Sequence, residues 1–85
     1  MNDYPKLTSV TPLDDFLLKL VFNENEVRVY DFKPNLNHKF YRDLADIKLF
    51  RNVTVEEGEI EWVTGQDFCP YTLYEQSTLV SNDNS

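Results

Sequence analysis

No lysine or arginine occurs after Arg51, although residues 52–85 carry seven carboxylates. Residues 1–51 hold eight acids and eight bases, which cancel, so the whole formal charge of −7 lies beyond residue 51. Binding to a phosphate backbone needs clustered Lys and Arg, so direct contact with nucleic acid is not expected. Cys69 is the single cysteine. An intramolecular disulfide is excluded, and a reducing, cytoplasmic setting is expected. Long apolar runs are missing too. The longest, "FLLKLVF" at 16–22, is broken by Lys19 and is too short to cross a bilayer, so no membrane role is expected. The opening "MNDYPKLTSV" lacks the basic and apolar regions of a signal peptide. "NVT" at 52–54 matches a glycosylation sequon that only a secretory route would make meaningful. With two glycines and one histidine in the chain, no phosphate loop, ligand cluster or nucleophile–base pair can be read, and no cofactor is expected.

What is present suits one small α+β domain. An 85-residue chain has room for one core. Six Phe, five Tyr and Trp62 supply large apolar area per residue. "KLTSVTP" at 6–12, ending in proline, reads as an edge strand. In 16–22, Phe16, Leu18, Leu20 and Phe22 alternate with Leu17, Lys19 and Val21, which is the clearest strand pattern. "NENE" at 23–26 turns the chain, and "VRVYDF" at 27–32 returns as the hairpin partner.

After Pro34 the period changes. Leu36, Phe40, Leu44 and Ile47 predict an amphipathic helix packed on the hairpin, with Asp46 capping a further turn, "IKLF". Val53 and Val55 opposite Ile60 and Trp62, around Gly58, predict a second hairpin with Trp62 toward the core. "CPYTLYE" predicts a short terminal helix with Pro70 at its first position and Leu73 inward. The compact domain is expected over 1–76, and the polar "STLVSNDNS" over 77–85 is expected to be a disordered tail.

These segments together resemble a small bacterial family, domain-of-unknown-function family 2442, over residues 7–76. The resemblance rests on Val10-Thr11-Pro12, Leu18 to Phe22, Val29-Tyr30-Asp31, Phe40 to Asp46 with Phe50, Val53 to Trp62, and Gly65 to Glu75. The ending, Trp62 with Gly65, Asp67, Pro70 and Leu73-Tyr74-Glu75, is its most specific part. The resemblance implies an α+β fold with two small sheets. It also implies relatives that stand alone or carry a helix-turn-helix domain, and some that are encoded beside a second small protein in proposed toxin–antitoxin pairs. The chain ends soon after the motif, so no DNA-binding extension is expected. Cys69 departs from the small residue usual before the proline, and cysteine is a poor helix cap.

A catalytic Cys69 would want positive surroundings, whereas its neighbours in sequence are acidic, and no spacing requires His38 to reach it. Glu56, Glu57, Glu59 and Glu61 raise the question of calcium, but a row of outward carboxylates on a hairpin does not wrap an ion. The expectation is therefore a non-enzymatic, acidic protein-binding module, the antitoxin-like or adaptor member of a two-gene pair. Glu59, Glu61, Asp67 and Glu75 would neutralise a basic protein partner, with Tyr71 and Tyr74 as anchors. Set against this, the two tyrosines read slightly better as mere cover for the edge of the domain. The alternatives are a small-ligand or enzymatic domain without a recognisable motif, and a stand-alone remnant of a transcriptional regulator.

Overall fold

Alternation of apolar and polar residues builds two antiparallel sheets that face each other across one core. The computed structural model describes residues 6–81. Strands β1 (Leu7–Pro12), β2 (Leu17–Phe22) and β3 (Glu26–Asp31) pair in sequence order, with Leu18 opposite Tyr30 and Leu20 opposite Arg28. Leu18, Leu20 and Phe22 are fully buried, as their shared parity requires. The hairpin turn is a 3₁₀ turn over Asn23–Asn25, with Asn25 at φ 59°. β1 is an edge strand, and its Pro12 needs no ladder donor there.

The region after β3 departs from the expected single helix over 36–47. Two 3₁₀ segments, Lys33–Asn37 and Lys39–Ala45, are separated by extended His38, and α1 (Ile47–Phe50) follows. At three residues per turn, the neighbour of buried Leu44 is Tyr41, not Phe40. Tyr41 accordingly packs on Phe32 at 5.3 Å between ring centroids. Phe40, expected inward, is 55 % exposed, and Ile47 is also exposed. The Asp46 side chain accepts a hydrogen bond from the Lys48 backbone N–H at 3.0 Å, so the expected cap forms.

β4 (Val53–Glu56) and β5 (Glu59–Trp62) form the second hairpin, with Val53 opposite Trp62 and Val55 opposite Ile60. Glu57 and Gly58 both take positive φ, 54° and 83°, the geometry of a tight hairpin turn that favours glycine. A two-residue strand the sequence pattern did not reveal, β6 (Asp67–Phe68), completes a three-stranded sheet in the order β4-β5-β6. α2 (Pro70–Gln76) follows with Leu73 buried.

The C-terminal expectation is corrected. Thr78–Ser81 is not a disordered tail but strand β7, paired antiparallel with β3, giving the larger sheet the order β1-β2-β3-β7. Residues 82–85 lie outside the described residues. What holds β7 is Arg28. Its guanidinium donates to Ser77 Oγ at 2.8 Å and to the Ser77 carbonyl at 3.0 Å, fixing the chain between α2 and β7.

The core is aromatic. The Phe32 ring lies 5.1 Å from Trp62, 5.7 Å from Phe50 and 5.7 Å from Phe68, linking the two sheets and α1. Trp62 is buried, and its indole N–H donates to the Phe50 carbonyl at 2.9 Å, so burial leaves no polar atom unpaired. Both sequence expectations for Trp62, burial and the hairpin, hold.

Candidate functional site: an acidic sheet face

The three-stranded sheet turns Val53, Ile60 and Trp62 toward the core, so the residues between them must face solvent. Those residues are Glu59 and Glu61 on β5, and their cross-strand neighbours share their side. Glu56 lies directly opposite Glu59, and Asp67 directly opposite Glu61. Four carboxylates thus stand in two like-charged pairs on one exposed face, around a shallow depression of about 250 Å³. Directly opposed like charges destabilise a sheet. None of the ion pairs among the described residues involves these four. The pairing of Glu56 with Glu59 was not among the expected site residues. The signal was present, since a two-residue turn at 57–58 sets Glu56 against Glu59.

Of the six residues expected to meet a partner, the fold gathers Glu59, Glu61 and Asp67. The backbone carbonyl of Asp67 also accepts the Tyr41 hydroxyl at 3.0 Å, which ties β6 to the second 3₁₀ segment. Burial first, and then the Asp67 charge, raise the Tyr41 hydroxyl above its ordinary pKa. At the other end of β5, Glu59 shares a cleft with Cys69 and Pro70, the entry to α2. Tyr71 follows directly and is 46 % exposed, with its hydroxyl raised in pKa by a hydrogen bond to Glu75 one helical turn on.

Tyr74 sits elsewhere. Its ring packs edge-on against Phe22 at 5.0 Å, and the Arg28 guanidinium lies 4.4 Å over its face. Its hydroxyl is raised in pKa chiefly by a hydrogen bond to Glu26. Tyr74 is therefore half-buried against the four-stranded sheet rather than displayed beside Tyr71.

Cys69 is exposed and occupies the position before α2. Its thiol is lowered in pKa, first by the Thr72 backbone N–H, against the opposing effects of partial burial and, last, of the Glu59 charge. The helix entry thus favours the thiolate in spite of the acidic neighbours. His38, extended between the two 3₁₀ segments, lies beside Tyr41. Among the described residues no group of three or more His, Cys, Asp and Glu is placed to hold a metal ion. Among them, too, no helix is long and apolar enough to cross a membrane.

Comparison with known proteins agrees with the resemblance read from the motifs. The family described as "Protein of unknown function (DUF2442)" matches residues 7–78, most of the chain, and the chain belongs to that family. No match was found among curated proteins or among solved structures.

Proposed function

We propose that this family member is a small, non-enzymatic binding module that docks a basic protein on the outer face of its three-stranded sheet. The observation that carries this reading is the pair of opposed carboxylates, Glu56 with Glu59 and Glu61 with Asp67. A domain of this size holds only on the order of 5 kcal/mol of stability, and each such juxtaposition subtracts from it. Solubility alone would be met by the same charges dispersed. Concentrating them on one face supplies a local field that draws and orients a cationic surface.

In this reading Glu56, Glu59, Glu61 and Asp67 form the electrostatic patch. Tyr71 and Glu75 flank it on α2, where Tyr71 offers an aromatic face to Lys or Arg of the partner. Tyr74 contributes by anchoring α2. The setting is a reducing cytoplasm, in keeping with the lone Cys69, and the family resemblance adds the role of antitoxin-like or adaptor half of a two-gene pair.

The test is to capture the partner with tagged protein, purify it, and follow association kinetics. The double reversal Glu59→Lys/Glu61→Lys should keep the fold, because both side chains are exposed, and lower the on-rate about tenfold or more at low salt. Wild-type binding should weaken as salt rises toward ~0.5 M. Tyr71→Ala should speed dissociation with little change in salt sensitivity. A reversed protein that associates as fast as wild type at low salt would show that the acids serve solubility only.

A further inference from the structure

We draw no further inference here: the strongest candidate, the open β7 edge of the four-stranded sheet with the apolar groove beside it that Leu17, Val29, Pro34 and Val80 line, carries nothing, because nothing in the structure shows what covers it.

Discussion

On the four-stranded sheet and the turn that follows it, acids sit with bases. Arg28 lies 2.7 Å from Glu26, and Lys33 lies 3.1 Å from Asp31 and 3.4 Å from Asp15. Burial would push the Asp31 carboxyl up, but the Lys33 backbone N–H and ammonium together hold it below its usual range. On the three-stranded sheet, by contrast, acids sit opposite acids with no base to meet them among the described ion pairs. Both sheets use alternation to bury one face, and both feed the same aromatic core through Phe32 and Trp62. They differ in the charges carried on the free side of the strands. In the first sheet charge ties elements of the chain to one another, as Arg28 ties α2 and β7 to β3. In the second, no ion pair among the described residues makes such a tie, and the carboxylates face solvent.

The largest test strikes what the two sheets share. Trp62→Ala should cost roughly 3–5 kcal/mol, through the lost ring contacts and the orphaned Phe50 carbonyl. Thermal denaturation followed by circular dichroism should show a fall of at least about 15 °C in one transition. An unchanged melting temperature, or two separate transitions, would mean that the sheets are independent.

Next comes the pairing within the larger sheet. Arg28→Ala removes the Glu26 ion pair, two hydrogen bonds to Ser77 and the cover over Tyr74. The loss should be about 2 kcal/mol, since the side chain is mostly enclosed and hydrogen-bonded to charged and neutral partners. Amide exchange should accelerate more in Thr78–Ser81 than in Leu17–Phe22. Equal acceleration in both strands would show that Arg28 supports the sheet generally rather than clamping β7.

The smallest effect carries the opposite sign. Glu61→Gln keeps shape but relieves the repulsion with Asp67, and it should stabilise the fold by a few tenths of a kcal/mol, about 1–2 °C in melting temperature. The same substitution should slow association with a basic partner. A loss of stability here would show that the acids are balanced within the fold, and the contrast between the sheets would fail.

Much of this was legible beforehand because it is local. Period-two alternation in 16–22, and in Val53 to Trp62 around Gly58, sets strand, face and register together. Asp46 caps α1 through its own neighbouring backbone, and Leu73 is inward by helical spacing. The acidic character of one end, and Glu59 and Glu61 on one side of a strand, follow from the same alternation.

Other features depended on contacts between distant residues. Leu36, Phe40 and Leu44 fit a four-residue repeat, yet packing against Phe32 selected three residues per turn and put Tyr41 inside in place of Phe40. "TLVS" is too short and too flanked by polar residues to announce a strand. It became one because Arg28, 49 positions earlier, grips Ser77 and lays the chain along β3. Tyr71 and Tyr74 look alike on a helix wheel, and only the position of Phe22 and Arg28 separates the exposed ring from the half-buried one. The sequence by itself determined which residues alternate, where the chain turns and which end bears the charge, since each of these is settled within a few residues. The tertiary structure alone decided the 3₁₀ winding, the seventh strand and the meeting of Asp67 with Glu61. Each of those trades a local preference for burial or hydrogen bonds that exist only once remote segments are brought together.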